Sequence, residues 1–349
     1  MTNAMLGVTL LGAIAAAPMQ GQAAPERLVR FLRHSIGVDS AQLATAERGE
    51  AVVKVLETQG RRDIAIFGIV TIDVARDAYT EQLRDFQNSL RTPTRSRFGI
   101  FSDPATAADV QAVTIASRDV ADMKDCRPGD CVVKLWATDI RRIRAELDWS
   151  AADLQTQVNA YARRRLVEYV TDYRARGDSA MAIYDDRGNL NVRASDAFAA
   201  LLAESPYVYQ NVPSLGHYLS SYPRGTLAGA SEVLFWSEDV LPRLRPILSV
   251  THQVVYTPPE LPEVTVVAAK QIYANHYFEA AVDLTCVVER QGSDGRSGSY
   301  VLALRRYRFD NLPSGGLLNI RGRAIGALRD QMLADLRRQK ATAERALGR

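Results

Sequence analysis

Apolar residues are almost continuous in one early segment of the chain and recur at helical intervals in the next. Residues 64–74 (IAIFGIVTIDV) predict a strand, and the alternating apolar residues of 50–58 predict that the two segments form a β-hairpin. The segment 75–90 carries apolar residues at i, i+4, i+7 and i+11, which predicts a helix with one apolar stripe: Tyr79, Leu83, Phe86 and Leu90.

Strand patterns dominate after residue 246. Three long strands are predicted over 247–257, 264–290 and 299–310, separated by segments rich in Pro, Gly and Ser. A helix over about 317–346 follows, with an apolar stripe at Ile325, Leu328, Met332 and Leu336. The two ends of the chain therefore predict an α+β fold, with a curved antiparallel sheet gripping a long C-terminal helix and enclosing an apolar cavity.

The middle of the chain has a helical pattern instead. Residues 150–176 begin with a capping-box sequence and place their apolar residues on one broad face, and 195–203 predict a second helix. No low-complexity linker separates this part from the β-rich ends. We therefore expect one elaborated domain over 24–349, with a helical insertion at about 144–241.

Composition narrows the function classes only slightly. The chain has 349 residues, of which 47% are hydrophobic and 24% charged, as in ordinary globular proteins. A net charge of +3 gives no global field for nucleic acid, so no nucleic-acid partner is expected. The chain is long enough to bury a sizeable core, so folding should need neither metals nor disulfides, and no metal or cofactor is expected.

The N-terminus and two cysteines point to export. An apolar run over 5–19 followed by a small-x-small pattern ending at Ala23 predicts a signal peptide over 1–23, although no Lys or Arg precedes the run. A buried N-terminal helix is the alternative. Cys126 and Cys131 flank a Pro-Gly turn, which favours a disulfide in an oxidising compartment over free thiols or a metal site. We expect a periplasmic or secreted protein, in which Cys286 is a small buried apolar residue.

The order of elements resembles the helix-grip fold of START and Bet v 1-like proteins. The resemblance rests on residues 68–74 running into Tyr79, Leu83 and Phe86, and on 315–336 as the closing helix. Residues 125–135 (DCRPGDCVVKL) and 270–278 (KQIYANHYF) are similar to segments of an uncharacterised family of exported bacterial proteins. The resemblance implies a cavity for an apolar ligand between sheet and helix.

Strand parity selects the side chains expected to line this cavity. Alternate residues of a strand share a face, so two histidines fall on apolar faces of neighbouring predicted strands. With a turn near Glu260, His252 would lie opposite Ala268 and far from His276, which weighs against a catalytic pair. The predicted ligand-binding residues are His252, Lys270, His276, Phe278, Ile325, Leu328 and Met332.

Three functions remain open at this point. The first is an exported binding or carrier protein for a lipid or other apolar small molecule. The second, less favoured, is a cyclase- or hydrolase-type enzyme that uses a cavity histidine, since no sequence motif identifies a reaction. The third is a non-catalytic envelope interaction protein with a filled core. The arginines of the terminal helix could also contact an anionic membrane surface, although a solvated helix face is the simpler interpretation.

Overall fold

The elements of the protein form one large sheet with helices on both of its faces. The computed structural model describes residues 25–188, 191–241, 244–291, 297–312 and 319–346. The helices are α1 Glu26–Phe31, α2 Ser40–Glu47, α3 Arg76–Arg84, α4 Phe86–Ser89, α5 Ser117–Met123, α6 Ala137–Glu146, α7 Leu154–Arg176, α8 Ala194–Ala203, α9 Pro206–Asn211, α10 Pro213–Ser221 and α11 Ile320–Ala346. The strands are β1 Val52–Leu56, β2 Asp63–Ile72, β3 Arg95–Ile100, β4 Ile183–Tyr184, β5 Val192–Arg193, β6 Ser231–Asp239, β7 Ile247–Tyr256, β8 Val264–Ala274, β9 Phe278–Gln291 and β10 Ser297–Phe309.

Eight of these strands form a single antiparallel sheet in the order β1-β2-β10-β9-β8-β7-β6-β3. The sheet is open, with β1 and β3 as its edges, and β4 and β5 form a separate small hairpin. These features confirm the predicted α+β class, with a large antiparallel sheet and a long C-terminal helix.

The two faces of the sheet have different partners. On one face, here called the α11 face, Ile64, Ile66, Val70 and Val301 pack with residues of α11 and α3. The other face, here called the helical-layer face, carries the larger apolar cluster and packs against α1, α2 and α7–α10. Because both faces are covered, the residues of β2 are buried along its whole length.

The α11 helix lies directly against β2 at a glycine. A Cβ atom on Gly68 would lie 2.6 Å from Leu336 Cδ1 and 3.0 Å from Met332 Cγ, so the absence of a side chain allows the close approach. Leu336 and Met332 are themselves buried. The stripe predicted for the terminal helix therefore does face the sheet.

The predicted strand over 264–290 was wrong in one respect, because the structure divides it into β8 and β9. The chain reverses at 275–277, where Tyr277 adopts a left-handed φ of 64°. Asn275 fixes the turn, since its Oδ1 accepts from Leu248 N at 2.8 Å and its own N–H donates to Leu248 O at 3.0 Å. The last third of the chain thus contributes four long strands instead of three.

Two other predictions fall wholly or partly on residues that the structure does not describe. The predicted signal peptide over 1–23 lies outside them, as do residues 317 and 318 at the expected start of the terminal helix. The predicted insertion range 144–241 contains α7–α10, and it also contains β6, which belongs to the main sheet.

Candidate functional site

A cleft of about 290 Å³ lies between the α11 face of the sheet and the helices α11, α3 and α4. Its floor is formed by alternate residues of β7–β10, and its walls by residues of α11 and of the segment 83–95. The apolar lining residues include Leu83, Leu241, Phe278 and Leu328. The size lies at the lower end of the range typical of small-molecule sites.

Polar side chains form two rows across the floor of the cleft. In the first row, Arg305, Asp283, Ala269 and Gln253 are successive cross-strand partners on β10, β9, β8 and β7. The second row contains Tyr307, Ala281, Gln271 and Thr251 in the same strand order. Directly opposed residues share a face of an antiparallel sheet, so both rows point into the cleft. Two small alanines in these rows leave open space beside the polar groups.

Charged residues surround the first row. Arg305 Nη1 donates to Asp335 Oδ2 of α11 at 2.7 Å, and its Nε lies 3.7 Å from Asp283 Oδ2. Arg95 Nε lies 3.6 Å from Asp239 Oδ1 on the neighbouring wall. Arg305 thereby joins the floor to α11, and both arginines are engaged with carboxylates.

Asp283 is the carboxylate whose hydrogen-bonding capacity is unused. Its Oδ1 is buried and has no hydrogen-bond partner among the described residues, and the 3.7 Å separation from Arg305 is too long for a hydrogen bond. Surrounding protein desolvates the carboxyl and raises its pKa; Arg305 opposes the increase and Asp335 adds to it. Yet 44% of the side-chain surface is accessible and the residue lines the cleft, so a bound molecule can reach it.

Two of the residues predicted to line a cavity lie in this cleft, namely Phe278 and Leu328. Ile325 and Met332, on the same helix as Leu328, pack in the apolar cluster between α11 and the sheet and do not line the open space. The helix therefore places Met332 and Leu336 of its apolar stripe on β2, while Leu328, Gln331 and Asp335 border the cleft.

His252 and Lys270 lie on the opposite face of the sheet. They are direct cross-strand partners, because the register that runs unbroken from Tyr256 and Val266 to Thr251 is centred on residue 261, one residue after the expected turn centre, so that Ala268 pairs with Val254. The predicted pairing of His252 with Ala268 was therefore wrong. Both side chains point into the helical layer, away from α11.

The imidazole of His252 is held between two tyrosines. Its Nδ1 lies 3.2 Å from the hydroxyl of Tyr173 on α7, and its Nε2 lies 3.2 Å from the hydroxyl of Tyr218 on α10. Glu232 also contacts Tyr218 and lies 3.6 Å from Nε2. Burial lowers the pKa of His252, and the nearby Glu232 carboxylate opposes the decrease only in part.

Lys270 is fully buried beside this histidine. Its ammonium group binds Asp178, donates to Leu219 O at 3.0 Å and lies 4.1 Å from the ring centre of Phe198. Burial lowers its pKa, and Asp178 opposes the decrease. These contacts join the sheet to three elements of the helical layer, as expected of a structural ion pair.

His276 has a third environment, in the turn between β8 and β9. Its Nε2 lies 2.9 Å from Asp119 Oδ2, and Arg245 Nη1 donates to Asp119 Oδ1 at 2.8 Å. Arg245 also binds Asp122. The two histidines thus occupy separate sites with separate partners, and neither lines the α11 cleft.

A second cavity lies on the helical-layer face and is almost entirely apolar. It measures about 130 Å³ and is bordered by Phe31, Phe67, Val212, Leu302 and Cys286, among others. Burial raises the pKa of the Cys286 thiol to about 12, which keeps it protonated and unreactive at neutral pH. This cavity, and not the α11 cleft, has the apolar lining that was expected between sheet and helix.

The predicted disulfide between Cys126 and Cys131 is confirmed, with the two Cα atoms 4.5 Å apart. The closed loop pairs with the next turn, since Cys131 N donates to Asp186 O at 3.0 Å and Gly129 N to Asp185 O at 2.8 Å. Across the described ranges, no three His, Cys, Asp or Glu side chains are grouped so that they could hold a metal ion. Among the same residues, no helix has both the length and the apolar character needed to cross a membrane.

Asp283, Arg305 and Asp335 were not among the predicted site residues. The signal for the two strand residues was their alternation with apolar residues on β9 and β10, a pattern that an exposed sheet face also produces. Only the position of α11 shows that this face borders a cleft.

Comparison with known proteins adds no further identification. No family model matches this chain, and neither does any curated protein.

Proposed function

We propose that the protein binds or carries a small amphiphilic molecule in the α11 cleft, with its apolar part on the cleft walls and a polar group at Asp283. One observation carries the proposal, namely a cleft whose floor holds a carboxylate without a hydrogen bond from the described residues. Such a group is costly inside a folded protein unless something compensates it. A bound polar group would supply that compensation.

The two kinds of lining support an amphiphile in preference to a purely apolar cargo. Leu83, Phe278 and Leu328 offer apolar contacts, whereas Asp283 and Arg305 lie on the floor. Small-molecule sites typically combine a mostly apolar surface with a few polar groups that orient the ligand. A lipid-like molecule with a short apolar chain fits this pattern, so the expected carrier function is retained with a more polar binding site.

Two expectations from the sequence, a helix-grip architecture and export from the cytoplasm, are part of this proposal. A large antiparallel sheet with a long terminal helix across one face is compatible with the helix-grip architecture of START-like proteins, in which ligands lie between sheet and helix. The disulfide is compatible with a periplasmic or secreted protein, since disulfides persist in oxidising compartments. An exported carrier combines both.

The test is a variant that fills the cleft. Ala269 pairs directly with Asp283 on the cleft floor, so Ala269→Phe would occupy the space beside the carboxylate. The matched control is Val132→Phe, which adds a ring at a position that is 58% exposed and outside the cleft. We expect an environment-sensitive amphipathic dye to bind the wild type and the control, and to lose at least tenfold in affinity with Ala269→Phe. Equal binding by all three proteins would contradict the proposal.

The two other functions that the sequence left open receive less support from the geometry. The enzyme alternative relied on a cavity histidine, and neither His252 nor His276 lines the cleft. The interaction-protein alternative relied on a filled core, whereas about 290 Å³ remains open between the sheet and α11. Binding is therefore the function that we carry forward.

A further inference from the structure

The charged side chains of the cleft differ in whether another residue pairs with them or forms a hydrogen bond to them. We use this difference to infer the charge of a ligand. The described residues that line the cleft include three carboxylates, Asp239, Asp283 and Asp335, and two arginines, Arg95 and Arg305. Arg95 is paired with Asp239 and Arg305 with Asp335. Asp335 also binds Arg338, which does not line the cleft. Asp283 remains as the carboxylate that lacks a hydrogen bond.

We propose that the ligand carries a positive charge on an amine or ammonium group, and that the Asp283 carboxylate binds this group. The inference rests on the proposed function, because it concerns the same cleft. A cation compensates the carboxylate in charge, and an amine also donates a hydrogen bond to the part of it that is accessible from the cleft. A ligand carboxylate would instead add a further negative charge beside Asp283 and Asp335.

The arginines do not offer an equivalent site for an anion. Arg305 donates to Asp335 at 2.7 Å, so an anionic ligand would have to displace that carboxylate. Arg95 donates through Nη1 to Leu90 O at 2.7 Å and lies beside Asp239. Its guanidinium group also lies over the ring of Phe235, 5.2 Å from the ring centre. Arg95 Nε also lacks a hydrogen bond from the described residues, but Arg95 is paired with Asp239 at 3.6 Å and donates through Nη1. Both cations are therefore engaged, and among the described carboxylates of the cleft Asp283 is the one without a hydrogen bond.

The neighbouring apolar surface limits the rest of the ligand to a short chain. The open space of about 290 Å³ includes the polar floor, and the apolar contacts come from Leu83, Phe278 and Leu328. An alkylamine with a chain of moderate length places its charge at Asp283 and its chain against these residues. The inferred ligand class is a short-chain cationic amphiphile.

The experiment compares three probes with the same chain and different charge, namely octylamine, octanol and octanoate, in calorimetric titrations at fixed ionic strength. We expect octylamine to bind at least about tenfold more tightly than either of the others, since a hydrogen bond to a charged group contributes that much. Asp283→Asn should remove this preference and leave octanol binding unchanged. The matched control is Asp330→Asn, which removes the same charge at an exposed position of α11, and it should retain the preference.

The outcomes separate this inference from the proposed function. If octanol or octanoate binds the wild type as tightly as octylamine, and Ala269→Phe abolishes that binding, the cleft is a binding site but the charge inference is overturned. If none of the probes binds, both are overturned. If Asp330→Asn removes the preference as fully as Asp283→Asn, a long-range field explains it, and the role of Asp283 is rejected.

A second measurement on the wild-type protein does not depend on the variants. Asp283 faces Arg305 and Tyr307 of β10, Asp335 of α11, and Arg95 and Asp239 of the neighbouring wall. Because the pKa of Asp283 is raised, its protonation on acidification should precede that of an ordinary carboxylate. Octylamine affinity should then decrease as the pH falls, while octanol affinity stays constant. A constant octylamine affinity down to the unfolding pH would overturn the inference.

Discussion

Replacing Gly68 by alanine tests whether α11 packs directly on β2, on which the geometry of the cleft depends. The added Cβ would lie 2.6 Å from Leu336 Cδ1 and 3.0 Å from Met332 Cγ, both closer than an ordinary van der Waals contact. Neither side chain can move into solvent, because Leu336 and Met332 are fully buried. The helix or its side chains must therefore shift.

The expected magnitude follows from two opposing effects. Inserting a methyl group into a well-packed core costs about 1–3 kcal/mol, whereas replacing a strand glycine by alanine recovers about 0.5–1 kcal/mol of backbone entropy. We expect Gly68→Ala to lower the free energy of unfolding by about 1–2 kcal/mol. The matched control is Gly326→Ala on α11, where a Cβ meets no atom within 4 Å. It should raise the free energy of unfolding by about 1 kcal/mol through helix propensity.

Urea unfolding followed by circular dichroism measures both changes. A double variant, Gly68→Ala with Leu336→Ala, provides the internal check, because removing the Leu336 side chain removes the nearest clash. Its cost should be smaller than the sum of the two single costs by about 1 kcal/mol. Additive costs, or a Gly68→Ala variant as stable as the wild type, would refute the packing of α11 on β2 that the structure shows.

Three further predictions concern stability away from the cleft. Replacing Cys126 and Cys131 together by serine should cost about 2 kcal/mol, since the disulfide closes a short loop, and urea unfolding under reducing conditions should abolish the difference. Replacing both members of the buried pair, Lys270→Met with Asp178→Leu, should be nearly neutral in thermal unfolding, whereas Asp178→Asn alone should cost about 3 kcal/mol because it leaves the buried ammonium group unpaired. Burial lowers the pKa of His252, so the unfolded chain takes up a proton first as the pH falls below about 6.5. Below that pH, the free energy of unfolding of the wild type should therefore decrease more steeply than that of His252→Asn. The same pH dependence of the free energy of unfolding in both proteins would contradict this prediction.

The elements with strong local patterns could be predicted from the sequence. The continuous apolar segment became β2, and the long amphipathic stripe became α11 with Met332 and Leu336 against the sheet. A Pro-Gly turn between Cys126 and Cys131 likewise led to the disulfide. In each case neighbouring residues alone determine the structure, so one sequence suffices.

The turn between β8 and β9 shows where local patterns failed. Apolar residues continue on both sides of Asn275 and His276, and this continuity favoured one long strand. The reversal depends on hydrogen bonds from Asn275 to Leu248 and on the left-handed φ of Tyr277. Asparagine is common in turns, so the polar Asn-His pair inside an apolar segment was the available signal.

The location of the site could not be predicted for a different reason. Strand parity grouped His252 with the apolar residues of β7, and the structure keeps this group together on one face. Parity does not say which layer covers which face. The apolar face was expected against the terminal helix, but it packs on α7–α10, and α11 lies on the opposite face, where Thr251 and Gln253 line the cleft.

The width of the sheet explains why a polar cleft remains beside α11. Eight strands spaced about 4.8 Å apart span roughly 34 Å, whereas a helix with its side chains is about 10 Å across. The apolar residues of α11 pack on β2, so the helix cannot also cover β7 and β8. A core made only for stability would fill that area with large apolar side chains, as on the helical-layer face. The strands instead carry Ala269 and Ala281 beside Asp283, small residues that leave room next to a carboxylate without a hydrogen bond. Space and unsatisfied charge at the same place favour a ligand there over a packing defect, because a defect alone would not require a charged group.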